Sequence, residues 1–186
     1  VRIAVDLDGV CYEFQRTYRY MIGEYRGVAM PPVSEFWTHW DAQKDYGRPA
    51  DHRWMWDGGV RLGLFRYGHM VQGARRGLEQ LAEDGHELLV VTSRPAAAVL
   101  DTVEWISLFF KDIPLAGIHI LSNQEPKSVI RADLLIDDRP ENIYEWSGAG
   151  REAILFEQPW NAGQIMPLGV HVAQSWKDVV TLVRSY

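Results

Sequence analysis

A chain of 186 residues, 47% hydrophobic and 24% charged, has a globular composition with enough apolar mass for one well-buried core and a small appendage, so one domain carrying an insertion is expected. Its net charge of −6 excludes a general affinity for nucleic-acid backbones, while a local basic pocket for one phosphate stays open. The single cysteine, Cys11, excludes an internal disulfide and a cysteine zinc cage; no apolar run reaches the length of a membrane span and the chain opens on a core strand, so a cytoplasmic protein is expected.

The first predicted element is a short buried strand over Ile3, Ala4 and Val5 that ends abruptly in Asp6-Leu7-Asp8-Gly9. With one residue between them on an extended backbone, Asp6 and Asp8 lean the same way, and two like charges so close call for a cation. A strand end that merely turns outward through Asp-Gly is the alternative. From Tyr12 to about Met70 aromatics accumulate (Trp37, Trp40, Trp54, Trp56, Phe36, Phe65), Pro31-Pro32 makes a break, and Tyr12 to Tyr25 and Asp51 to Trp56 carry helical spacing. That segment reads as a helical insertion without parallel-sheet strands. Asp57 to Gly63 is glycine-rich but lacks a phosphate-loop lysine and a preceding strand, so it reads as a flexible hinge.

Regular alternation begins after Gly73. Helices are predicted over Ala74–Asp84, Ala96–Lys111, Pro126–Arg131, Pro140–Trp146 and Ser175–Ser185, with strands over Glu87–Thr92, Gly117–Leu121, Leu134–Ile136 and Ala153–Phe156. Alternating strands and helices imply parallel pairing and right-handed crossovers. The expected architecture is α/β, a doubly wound, Rossmann-like parallel sheet of about five strands with a small helical cap inserted after the first strand. Residues 1–12 and 71–186 form the core in this reading, and 13–70 the cap.

Further strands end in residues suited to anions or metal. Thr92-Ser93-Arg94-Pro95 can present hydroxyl and backbone donors to an anion, or simply cap a helix. Asp137 and Asp138, beside a strand that already carries Asp6 and Asp8, make an oxygen-rich cluster of the kind magnesium accepts; capping would use one acid and leave the other unexplained. Lys127 fits a role toward a phosphate or the carboxylates, or a solvated surface position. The six histidines show no paired metal spacing, and Cys11 reads as a packed small residue.

Asp6-Leu7-Asp8-Gly9-Val10, Thr92-Ser93-Arg94-Pro95, Lys127 and Asp133-Leu134-Leu135-Ile136-Asp137-Asp138-Arg139-Pro140 resemble, in order, motifs one to four of the haloacid dehalogenase superfamily of phosphohydrolases. Within it the wording is most similar to the cytosolic-type 5'(3')-deoxyribonucleotidase family, with further support from Gly73-Ala74, Val103 to Phe110 and Leu155-Phe156 leading to Trp160-Asn161. The resemblance implies a magnesium-dependent phosphomonoesterase acting on (deoxy)nucleoside 5'-monophosphates. Asp6 would be the nucleophile and Asp8 the general acid and base. Asp6, the backbone carbonyl of Asp8 and an acid of the fourth motif would hold Mg²⁺, with Asp138 favoured for direct contact and Asp137 behind it. Thr92 and Lys127 match phosphate binders, and Ser93 and Gly9 could add backbone donors.

Trp37, Trp40, Trp54, Trp56 and Phe65 are candidates to stack on a base, against the competing role of filling the cap's own core. The partner expected is a small nucleotide or another phosphomonoester; a membrane and extended nucleic acid are not expected, and a homodimer is compatible. Alternatives are a polynucleotide 3'-phosphatase, another small-molecule phosphatase of the superfamily, and a non-catalytic nucleotide-binding module.

Overall fold

The computed structural model describes residues 1–29, 37–41, 44 and 48–185; Pro31-Pro32 and Phe36 lie outside the described residues. Six strands form one parallel sheet: β1 (Arg2–Val5), β2 (Glu87–Ser93), β3 (Leu115–Leu121), β4 (Leu134–Asp137), β5 (Glu152–Phe156) and β6 (Val170–Ala173). Their spatial order is β3-β2-β1-β4-β5-β6. The chain therefore winds outward from β1 in one direction and from β4 in the other. The crevice between the carboxyl ends of β1 and β4 is the switch point at which open α/β sheets bind ligands.

Helices cover both faces, as a parallel sheet requires. One layer joins Ile3, Val5, Val90, Ile136 and Ile154 to Leu78 and Leu81 of α3 (Ala74–Glu83), Trp105 and Ile106 of α4 (Val99–Phe109), and Val179 and Val183 of α6 (Trp176–Val183). The other joins Ala4, Leu89, Leu135 and Ala153 to Ile143 and Trp146 of α5 (Pro140–Gly148). Successive strand residues enter opposite layers, the period-two consequence of an extended backbone buried on both sides. Ser175 caps α6 by accepting a hydrogen bond from the Asp178 backbone N–H at 3.3 Å.

The region between β1 and α3 contains α1 (Phe14–Arg26) and α2 (Pro49–Trp54), which runs on into a π turn at Met55–Gly59. Tyr18, Met21, Ile22, Trp37, Met55, Val60, Leu64 and Phe65 form a separate apolar cluster there that packs on Ala98 and Trp160. Among the described residues no helix is long and apolar enough to cross a membrane.

Two expectations change. The sheet has six strands because Val170–Ala173 adds an edge to β5. The helix expected over Pro126–Arg131 is a single 3₁₀ turn, Lys127–Val129, since Ile130 already returns to extended backbone. The glycine-rich stretch from Asp57 begins inside a helical segment and leaves it through a turn at Leu62 and Gly63. A Cβ on Gly58 would lie 2.6 Å from Nε1 of the Trp54 indole, so close packing favours glycine there.

Candidate active site

The β1 and β4 registers place Val5 beside Ile136, so the next residues, Asp6 and Asp137, emerge together at the switch point. Immediately after β1 the chain folds back on itself, with the N–H groups of Val10, Cys11 and Tyr12 all donating to the Leu7 carbonyl. Gly9 is essential to this turn. Its φ is +80°, and a Cβ there would sit 2.3 Å from Oδ2 of Asp138. Gly9→Ala is accordingly expected to cost at least about 2 kcal/mol of stability, combining left-handed backbone strain with displacement of Asp138. Urea unfolding checks this, and an unchanged midpoint contradicts it.

One ligand oxygen from each of Asp6, Asp137 and Asp138 lies within 4.8 Å of the others, and all three residues are buried. Lys127 Nζ donates to Asp6 Oδ1 at 2.7 Å and to Asp137 Oδ2 at 2.6 Å. Asp137 is the more heavily engaged acid: Oδ2 also accepts from Asn142 Nδ2 at 3.0 Å, and Oδ1 accepts from the Arg139 backbone N–H at 2.8 Å. Asp138 is engaged on one side only, where Oδ2 accepts from the Trp160 indole N–H at 2.8 Å. The loop after β5 braces the turn further, with Asn161 Nδ2 bonded to the Asp138 carbonyl at 2.6 Å and Gln158 Nε2 to the Gly9 carbonyl at 2.6 Å.

Asp8 is held differently. Arg94, directly after β2, grips it with Nε on Oδ2 at 2.9 Å and Nη2 on Oδ1 at 2.6 Å. The guanidinium also donates to Thr102 Oγ1 at 3.1 Å and lies 4.8 Å from the Tyr12 ring centroid and 4.7 Å from that of Phe65. Asp8 is thereby fixed at both oxygens, in the planar fork that arginine provides and lysine does not.

Four acids against two buried cations leave this cluster with uncompensated negative charge when all are ionised. Burial pushes the Asp6 carboxyl up to about 7; Asp137 and Asp8 push the same way and Lys127 opposes them. Burial, then the charges of Asp137 and Asp6, also raises Asp138. Lys127 stays charged because the two carboxylates outweigh its burial. Burial pushes the Cys11 thiol up as well, and it stays a packed, protonated side chain.

The cluster lines a cavity of about 250 Å³ together with several aromatic side chains. Trp40, Trp56 and Phe65 line it, joined by Phe14 and Tyr18 of α1. Phe14 lies nearly parallel to Trp56 and Phe65, with centroids 6.1 and 5.7 Å away. Trp37 and Trp54 are not on this wall. Trp37 is buried in the separate apolar cluster between β1 and α3, edge-on to Tyr18, and Trp54 packs against Tyr25 with Arg26 over its ring. Ser93 and Lys127 reach the cavity; Thr92 is fully buried off its wall, and its hydroxyl has no hydrogen-bond partner among the described residues. The Gly9 N–H is bonded to the Tyr12 carbonyl at 2.9 Å and is not offered to the cavity, whereas the N–H groups of Leu7 and Asp8 have no backbone acceptor among the described residues.

Arg94, Asn142, Gln158 and Phe14 hold or line the site without having been assigned a part from the sequence. Arg94 carried a signal, its place between a strand end and Pro95, but its partner Asp8 is 86 residues away. His52 also lines the cavity. Its Nε2 accepts from the Trp56 indole at 3.0 Å and its Nδ1 faces the Tyr18 hydroxyl at 3.2 Å, so it is neutral, in keeping with a pKa that burial lowers.

Known proteins bear on this geometry. A protein of Chlorobaculum tepidum assigned by inference as a 5'(3')-deoxyribonucleotidase is 29% identical over 99% of this chain and 90% of its own length. The 5'(3')-deoxyribonucleotidase of Bacillus subtilis is 29% identical over 62% of this chain and 63% of its own. A haloacid dehalogenase-like hydrolase from Xanthomonas campestris superposes with a TM-score of 0.65 at 12% identity, covering 99% of this chain and 94% of that one. YfnB from Bacillus subtilis, solved with magnesium bound, gives 0.62 at 13% identity over 98% and 97%. Those structures share the fold; the family model for cytosolic type C deoxy (pyrimidine) 5' nucleotidases matches residues 1–186, and the chain belongs to that family of haloacid dehalogenase-type phosphatases.

Proposed function

We propose that this phosphatase is a magnesium-dependent nucleotidase that hydrolyses deoxyribonucleoside monophosphates through a phosphorylated Asp6, with residues 13–70 acting as the cap that selects the leaving group. The observation that carries the reading is the juxtaposition of the Asp6–Lys127–Asp137–Asp138 cluster with an aromatic-walled cavity at the switch point. The names of the relatives, 5'(3')-deoxyribonucleotidases, support the substrate class.

The acids and the raised Asp6 and Asp138 carboxyls fit a hard divalent cation, which takes oxygen ligands and relieves like-charge repulsion. Asp6, the Asp8 carbonyl and the less engaged Asp138 would hold it, and Asp137, bonded to Lys127, Asn142 and the Arg139 N–H, would stand behind. Mg²⁺ supplies neutralisation of phosphoryl charge when bound. Asp6 attacks phosphorus to give an acyl phosphate. Lys127 keeps the attacking carboxylate aimed and, with the Ser93 hydroxyl and the N–H groups of Leu7 and Asp8, receives the phosphoryl oxygens. Asp8 gives a proton to the leaving oxygen and then takes one from the water that cleaves the intermediate. The aromatic wall shields these steps from bulk water.

A pH dependence follows from Asp6. Its folded pKa of about 7 lies above its ordinary value of 3.8, so between those limits the metal-free folded protein holds a proton that the unfolded chain has released. Stability from this group is therefore greatest at low pH and falls as pH rises through that window. Magnesium has to displace the proton, so its affinity rises toward neutrality and levels off above it. Thermal melts with and without Mg²⁺ are expected to show a larger metal-induced increase at pH 8 than at pH 5. An increase independent of pH contradicts the assignment of Asp6 as a ligand.

The functional reading is tested with ribo- and deoxyribonucleoside monophosphates, sugar phosphates and 3'-phosphorylated oligonucleotides, ranked by kcat/KM with Mg²⁺ present. Deoxynucleotides are expected to lead. Faster turnover of sugar phosphates or oligonucleotide ends overturns the nucleotidase reading, and no phosphate release from any of them leaves the non-catalytic alternative.

A further inference from the structure

Among the polar side chains that line the cavity and that the chemistry above does not use, one is both nearly buried and without a hydrogen bond to any described residue. Gln15, the second residue of α1, stands beside Phe14 on the cavity wall and is only 5% exposed. Its amide makes no hydrogen bond to any described residue. Of the other polar lining groups, Arg139 pairs with Glu141 and lies over the Trp40 ring, and Asp41 has a partner of its own. His52 is engaged at both ring nitrogens, Asn142 is bonded to Asp137, and Asn123 is exposed to water, where an unpaired amide is not penalised. The Gln15 amide keeps contact with solvent although the residue is only 5% exposed and, since the residue lines the cavity, a ligand that enters can take the place of water on its donor and acceptor.

Resting on the nucleotidase reading, we infer that Gln15 reads the hydrogen-bonding edge of the nucleobase, pairing its amide N–H and C=O with an adjacent acceptor and donor on the ring. The reacting phosphate is drawn to Lys127, which is paired with Asp6. Phe14, Trp56 and Phe65 offer flat apolar surface for the planar remainder of the substrate. Stacking on such surfaces accepts any base, so it cannot by itself set a preference. A buried hydrogen-bonding group can, because a substrate that lacks the matching edge leaves it unpaired. Rotation about the Cγ–Cδ bond reverses the order of donor and acceptor in a glutamine amide. The same side chain therefore matches the N3–H and O4 of uracil or thymine and the N3 and N4–H of cytosine, while an abasic sugar phosphate matches neither orientation.

The test compares wild type and Gln15→Met, which retains length and apolar packing, on dUMP, dCMP and deoxyribose 5-phosphate. A second arm follows N3-methyl-dUMP, whose donor is blocked, on the wild type and needs no variant to fold. The preference for both nucleotides over deoxyribose 5-phosphate is expected to shrink about tenfold or more in Gln15→Met, chiefly through KM. Wild type should discriminate against N3-methyl-dUMP by a similar factor, and Gln15→Met much less. A KM rise of equal size for deoxyribose 5-phosphate means that Gln15 contacts the sugar and overturns the inference, as does wild-type indifference to the N3-methyl group. Should wild type fail to prefer either nucleotide over deoxyribose 5-phosphate, the nucleotidase reading itself falls.

Discussion

Asp6→Asn is expected to lower kcat by at least about 10⁴-fold while leaving the fold intact, the scale seen when a covalent nucleophile is removed. The amide cannot form an acyl phosphate, yet it fills the same space and keeps an oxygen for Lys127 Nζ, now 2.7 Å from Oδ1. Removing a buried carboxyl that burial has pushed to about 7 also relieves repulsion from Asp137 and Asp8. The metal-free variant should therefore be at least as stable as wild type at pH 8. Circular dichroism melts and phosphate release measured side by side separate the two effects. Wild-type turnover in Asp6→Asn would assign the nucleophile elsewhere.

The second large effect is expected at Arg94. Its side chain is fully buried and that of Asp8 is 23% exposed, so Arg94→Met leaves a largely desolvated carboxylate without its partner. Breaking a fully buried pair costs about 3–5 kcal/mol, and the partial exposure of Asp8 brings the expectation to about 2–4 kcal/mol. The larger consequence is for catalysis, because an acid free to swing no longer meets the leaving oxygen. Nucleotide turnover should fall about 10²-fold. p-Nitrophenyl phosphate, whose leaving group needs no proton, should lose far less. Arg94→Lys keeps a charge but not the two-pronged grip, and is expected to recover stability more fully than nucleotide turnover. Equal losses on both substrates would make Arg94 a structural residue only.

The parts of the molecule legible in the sequence are those in which local pattern and tertiary role coincide. The strands at Ile3, Leu88, Leu134 and Ala153 are apolar because both faces are covered, and each ends where helices cease to cover it, so the acids that follow mark the crevice. The edge strand β6 escapes this logic: it has four residues, and His171 and Val172 are exposed. Helical spacing on α1 shows that Tyr18, Met21 and Ile22 face inward, but not that the same helix meets two interiors. Tyr18 and Phe14 serve both the separate apolar cluster and the cavity, while Trp37 serves the cluster alone. The role of Arg94 depends on the adjacency of β1 and β2, set by sheet order and invisible to any local window.

The central claim is that phosphoryl transfer passes through Asp6, and rapid acid quenching during turnover of a deoxynucleoside monophosphate, followed by peptide mass spectrometry, tests it most directly. The account predicts a hydroxylamine-labile phosphoryl group on Asp6 in the peptide spanning residues 1–16, absent from Asp6→Asn. Sustained turnover with no phosphoryl group on Asp6, or with one on another side chain, would contradict it.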